Sequence, residues 1–196
     1  MSFKDFLDSE SVKFELVCSV AHGSEDKPGT YEDLLVYAVD PHVSSAQKKI
    51  LQERALVVRH PSWYVRFFEG AREDTALRVI GYPKDSTTIC ELEDGKAKTQ
   101  RRFLHGNFSN TSPYADRMAI ENLNWQGEEI VGFSGSPVFH LEQKLFGMES
   151  IPVGVVLTGN PKRIEFLNMG RVADVMLHMA RGQIESGAAF RYSSER

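Results

Sequence analysis

Short β-type segments broken by frequent turns constrain this chain more than any other feature of its sequence. From Val12 to His22 the side chains alternate, with Val12, Phe14, Leu16, Cys18 and Val20 on one face and Lys13, Glu15 and Ser19 on the other. That is the period of a half-buried strand. Leu34 to Val39, Ala55 to Val58, Leu77 to Ile80, Ile130-Val131 and Val153 to Leu157 are further strand-forming runs. Turn clusters separate them, among them Lys27-Pro28-Gly29, Gly81-Tyr82-Pro83-Lys84-Asp85, Glu93-Asp94-Gly95 and Gly159-Asn160-Pro161-Lys162. Many short strands with turns between them read as an all-β barrel or sandwich. Two segments carry helical signals instead. Ser44 to Arg54 has a serine start and good helix formers, and Met169 to Arg181 places Val172, Val175, Met176 and Met179 on one face before Gly182. The tail from Gln183 to Arg196 is expected to fray.

Composition excludes several classes of function. The 196 residues are 41% hydrophobic and 26% charged, ordinary for a globular chain. With 23 basic and 27 acidic residues the net charge is -4, which argues against a broad nucleic-acid surface. No apolar run approaches the roughly 18 to 20 residues of a membrane-spanning helix, and Met1 to Asp8 lacks a signal-peptide core. These features predict a cytoplasmic protein that engages neither membrane nor nucleic acid. Cys18 and Cys90 have no CxxC partner and read as reduced, buried thiols. Two N-x-[ST] matches, Asn107-Phe108-Ser109 and Asn110-Thr111-Ser112, read as loop composition. His22, His42, His60, His105, His140 and His178 lack metal-ligand spacing with a second His or Cys. No metal and no cofactor is therefore expected.

The segment that carries chemistry is Gly132-Phe133-Ser134-Gly135-Ser136-Pro137-Val138-Phe139. Glycines on both sides of a serine let the backbone turn sharply. Successive N–H groups can then converge beside the hydroxyl and hold a developing oxyanion. Fifteen residues after Pro137, Pro152 opens the run Val153-Gly154-Val155-Val156, placed to line a substrate cleft.

This segment resembles the nucleophile region of the trypsin-like (chymotrypsin-fold) serine peptidases, G-x-S-G-[GS]-P-[VIL]. The following G-V-V resembles the strand that borders their specificity pocket, and the closing helix resembles their C-terminal helix. The resemblance implies a protein or peptide substrate, with Ser134 as nucleophile and the N–H groups of Gly132 and Ser134 as oxyanion hole. Ser19-Val20-Ala21-His22-Gly23 is similar to the family's T-A-A-H segment and makes His22 the base. Glu73-Asp74-Thr75-Ala76-Leu77-Arg78-Val79 resembles D-[IL]-A-L-L-K-L, and Asp33 in Glu32-Asp33-Leu34-Leu35-Val36 fits a similar pattern. Spacing favours Asp74 as orienter: it lies 52 residues after His22 and 60 before Ser134, whereas Asp33 is only 11 from His22. Glu128, six residues before Ser134, falls where the family places the base of its primary pocket, which implies a preference for Lys or Arg. Val153, Gly154 and Val155 would line the same pocket. Phe133 stands where zymogen-activated members carry aspartate, so the form is closer to the bacterial and viral branches. Arg101-Arg102 near His105 either meets an acidic partner or is simply exposed.

The expected fold is a chymotrypsin-like double β-barrel: a reduced N-terminal lobe over 1–76, a C-terminal barrel with its helix over 77–182, and a tail over 183–196. Only 21 residues precede His22, room for one strand where the family has more. Three explanations stand together: a degenerate first barrel, a strand supplied by a partner chain or longer precursor, or a catalytically inactive protease-fold module. An incomplete barrel would leave an open edge able to pair with a second copy or a partner.

Overall fold

The alternating N-terminal pattern forms strand β1 (Phe14–Ala21), which pairs antiparallel with β2 (Leu34–Val39). The structure is a computed structural model that describes residues 14–21, 34–39, 42–83, 91–93, 96–98, 101–112, 117–127, 130–181 and 189–191. The serine start at Ser44 caps helix α1 (Ser45–Arg54). The Gln47 N–H donates to Ser44 Oγ at 3.2 Å, and the Ser44 N–H donates to Gln47 Oε1 at 2.9 Å. This reciprocal pair satisfies two donors that the first helical turn leaves open.

Ala55 to Val58 does not become a strand. It connects α1 to a second helix, α2 (Pro61–Gly70), that the strand-and-turn reading overlooked. His60 is that helix's N-cap: its Nδ1 accepts the Ser62 N–H at 3.3 Å, and Pro61 occupies the first turn, where a missing N–H costs nothing.

Then come β3 (Ala76–Gly81), the short hairpin β4 (Glu91–Glu93) with β5 (Lys96–Lys98), β6 (Arg102–Ser109), β7 (Arg117–Glu121), β8 (Pro137–Lys144), β9 (Gly147–Asn160) and β10 (Arg163–Asn168). Helix α3 (Met169–Ala180) and strand β11 (Ala189–Arg191) follow. The tail was expected to fray, yet β11 pairs parallel with β1, Ser19 opposite Ala189. Asn107-Phe108-Ser109, read as loop, lies within β6.

Two compact units result: residues 56–175 form one, and residues 1–55 with 176–196 form the other. In the latter the described strands make a three-stranded sheet, β11-β1-β2. In residues 56–175 six strands close into an antiparallel barrel of order β10-β7-β6-β3-β8-β9. β3, β6 and β7 are successive neighbours, and β8 returns beside β3, which is a Greek key. β10 then closes the ring by pairing with both β7 and β9. Closure leaves each of these six strands with two neighbours; the open edge was expected of the N-terminal lobe, not of this barrel.

Alternation fills the barrel. Leu77 and Val79 of β3, Leu104 and Phe108 of β6, Val138 of β8, Val153 and Val156 of β9, and Ile164 and Phe166 of β10 form one buried cluster. A second cluster joins Tyr64 of α2 to Met169 and Ala173 of α3. Tyr64 is 0% exposed, and its hydroxyl accepts the Arg59 N–H at 3.0 Å. Burial raises its pKa, partly offset by that hydrogen bond and by the charge of Arg59. Tyr64→Phe should cost about 1–2 kcal/mol in urea denaturation, since it strands a partly buried N–H while keeping the ring; an unchanged midpoint would show that the hydrogen bond adds nothing.

Candidate functional site

The Ser134 turn is built around a buried phenylalanine. Gly132 and Gly135 have φ of 94° and 81°, a region that glycine enters without steric cost. Between them the chain sends Phe133 inward and Ser134 outward: Phe133 is 0% exposed within the barrel core, while Ser134 is exposed. The Phe133 ring meets Trp125 edge-on at 5.5 Å and lies against Gly81 of β3. A Cβ at Gly81 would fall 2.7 Å from Phe133 Cδ1 and would also strike Ser136 Oγ, so glycine there is required by close approach.

Backbone hydrogen bonds fix the rest of the turn. The Phe133 N–H donates to Ile130 O at 3.4 Å, the Ser136 N–H to Phe133 O at 2.9 Å, and the Gly135 N–H to Val156 O at 2.8 Å. The Val156 N–H returns a bond to Ser136 O at 2.9 Å, which ties the turn to β9. Among the described residues nothing accepts the N–H of Gly132 or of Ser134, the two donors assigned to an oxyanion hole. The Ser134 hydroxyl donates to Leu157 O at 3.1 Å.

A cavity of about 420 Å³ opens beside Ser134. Ile130, Val131, Gly132 and Phe133 form one side, and Val156 to Pro161 form the other. The Asn160-Pro161-Lys162 turn is shaped by Asn160 Oδ1, which accepts the N–H groups of Lys162 at 2.9 Å and Arg163 at 3.1 Å. Among the described residues no ionisable side chain lines the cavity. Neither a protein-family model nor a curated protein sequence matches this chain. The site therefore has to be read from its own geometry.

Gly132 and Ser134 are both exposed, and both line the cavity. Ile130-Val131, expected as a strand, is instead the lead into the turn, with Ile130 buried and Val131 exposed. Val153 is wholly inside the barrel, Gly154 is buried at a β-bulge, and Val155 packs toward the α2–α3 cluster. The cavity instead takes Val156 to Pro161, the next residues along the same strand and its turn. Pro152 sits within β9 at that bulge, a place where a strand tolerates the missing N–H.

Asp74 is set apart from Ser134. It is exposed, in a turn where the Thr75 N–H donates to Arg72 O at 2.8 Å, just before β3 begins at Ala76. Gly81, at the other end of β3, is the residue against the Ser134 turn. A six-residue strand spans roughly 17 Å at about 3.3 Å per residue. The orienting role assigned to Asp74 is thus not supported by its position: spacing along the sequence suited it, but the direction of β3 carries it away. His22, Asp33 and Glu128 lie outside the described residues.

Leu157 O, Ile130 and the Asn160-Pro161 turn were not assigned to the site by the sequence reading, which took them as strand and turn segments. Phe133 was noted only for what it replaces. A phenylalanine flanked by two glycines and preceded by Ile130-Val131 is nevertheless a legible signal of an anchored turn.

No group of three or more His, Cys, Asp or Glu side chains among the described residues is placed to hold a metal ion. No described helix is long and apolar enough to cross a membrane.

Proposed function

We propose that the chain is a trypsin-like serine endopeptidase that hydrolyses peptide bonds through an acyl-enzyme at Ser134. The observation that carries this reading is the turn itself. An exposed serine stands between two glycines in the left-handed region, beside a cavity, with the N–H groups of Gly132 and Ser134 unclaimed among the described residues. A carbonyl whose carbon is attacked by Ser134 Oγ would pass its developing negative charge to such donors. The base in this reading is His22, from its resemblance segment, since a serine hydroxyl is a weak nucleophile without one. Asp74 lies at the far end of β3 and Asp33 only 11 residues after His22, so this reading rests on Ser134 and His22. Glu128, in the family's position for the base of the primary pocket, carries the preference for Lys or Arg in this reading. The double barrel of the peptidase fold belongs to this proposal; the closed Greek-key barrel of residues 56–175 supports its C-terminal half.

One observation favours a second reading, an inactive protease-fold module that binds a peptide. The Ser134 hydroxyl donates its hydrogen bond to a backbone carbonyl, that of Leu157. A fluorophosphonate probe separates the two. Endopeptidase chemistry requires labelling of Ser134, none in Ser134→Ala, and a fall of about 10³-fold or more in His22→Ala. If the folded wild-type chain takes up no probe, the endopeptidase reading fails and the binding module stands.

A further inference from the structure

The arginines of the barrel strands divide by the company they keep. Arg117 of β7 meets Glu165 at 3.4 Å, and Arg163 of β10 meets Glu121 and Glu165. Around Phe103 of β6 the pattern changes. The guanidinium carbons of Arg78 and Arg101 lie 5.8 and 5.3 Å from the centre of one aromatic ring, that of Phe103. Among the described residues neither Arg78 nor Arg101 is ion-paired.

Register explains how the cluster forms. Arg78 stands directly opposite His105, and Ile80 opposite Phe103, so Arg78 and Phe103 are diagonal neighbours on the outer face of the barrel. On the other flank the residue opposite Arg78 is Phe139 of β8, which brings no counter-charge. Arg78 Nε donates to His105 Nδ1 at 3.4 Å. Burial first, and the charge of Arg78 second, lower the pKa of His105. Phe103 itself is 44% exposed. A cation over a ring gains little at such a surface, and the ring cancels none of the charge. Uncompensated guanidiniums thus gather in a chain that carries four more acids than bases.

We infer that this face docks an extended acidic segment of a partner protein, whose carboxylates at alternate positions are taken by Arg78 and Arg101 beside Phe103. Alternate side chains of an extended segment point the same way, about 7 Å apart. Each guanidinium can grip a carboxylate with two parallel hydrogen bonds, and an apolar side chain between them would rest on the Phe103 ring. Charge complementarity selects carboxylates here. A nucleic acid would draw on many phosphate contacts, for which a chain of net charge -4 with so small a cationic cluster is poorly suited. The inference is independent of whether Ser134 is a nucleophile.

Fluorescence anisotropy on the full chain tests it, using a labelled dodecapeptide of alternating glutamate and valine. Its glutamine-for-glutamate counterpart and a short oligothymidine serve as competitors. The acidic peptide should bind, weaken as salt is raised, and lose about tenfold in affinity in each of Arg78→Gln and Arg101→Gln. Arg101 precedes β6, so Arg101→Gln should melt as the wild type does and keeps the test clear of folding effects. The inference is overturned by no binding at millimolar peptide, by equal binding of the glutamine peptide, by tighter binding of the oligothymidine, or by unchanged affinity in the double variant.

Discussion

Phe133→Ala should cost about 3–5 kcal/mol of stability, which is a large part of the roughly 5–15 kcal/mol that holds a domain folded. The side chain is 0% exposed, meets Trp125 edge-on, and belongs to the main barrel cluster. Truncation removes the transfer energy of the ring and leaves a void between Trp125 and Gly81 that close packing cannot readily fill. The loss should not be uniform. Phe133 O accepts the Ser136 N–H, and the Gly135 N–H is bound to Val156 O, so the turn that presents Ser134 hangs from this residue. Hydrogen exchange at Gly135 and Ser136 should therefore accelerate more than at β7, while Phe133→Leu, which keeps most of the apolar bulk, should cost less than half as much. Phe133→Asp should be worse than alanine, because it buries a carboxylate without a partner. An unchanged urea midpoint for Phe133→Ala would show that the turn stands without its anchor.

What the sequence disclosed and what it withheld follow from the range of the forces involved. β2 coincides with Leu34 to Val39, and α1 with its serine cap begins where local chemistry places it, because period and capping are local. The closing helix was legible for the same reason. β6 was not. Asn107-Phe108-Ser109 reads as loop composition, but a Cβ at the preceding Gly106 would lie 2.5 Å from Glu121 O, so the glycine serves the close approach of β7. Ile130-Val131 has strand-forming residues and yet enters a turn, because burial of Phe133 and the bond between the Phe133 N–H and Ile130 O outweigh a two-residue propensity. At the site, the glycines and serine were readable, since positive φ leaves a compositional trace. The position of Asp74 was not, because counting residues gives separation along the chain and no information about strand direction. That direction is set by the pairing of β3 with β8, a contact between Leu77 and His140 that sequence spacing does not encode.

Gly154→Val should be as damaging as Phe133→Ala, through excess volume rather than a void. Gly154 lies in the middle of β9, opposite Val138 on one side and Asn168 on the other, where β-propensity alone would favour valine. The packing opposes it. A Cβ there would run into Phe166 Cδ2 and sit 2.7 Å from Leu167 O. Phe166 is fully buried and cannot swing away, and Leu167 O belongs to the strand backbone. Overpacking of a close-packed core costs about 1–3 kcal/mol, with backbone obstruction toward the upper end or beyond. Gly154→Ala should already be clearly destabilising, and Gly154→Val more so. The double variant Gly154→Ala with Phe166→Leu distinguishes the two obstacles, because neighbouring substitutions are not additive. If the ring is the main obstacle, the pair should be less destabilising than the sum of its single changes; if the Leu167 carbonyl dominates, the costs should simply add. A Gly154→Val chain that melts with the wild type would contradict the close approach of β9 and β10 on which the closure of the barrel depends.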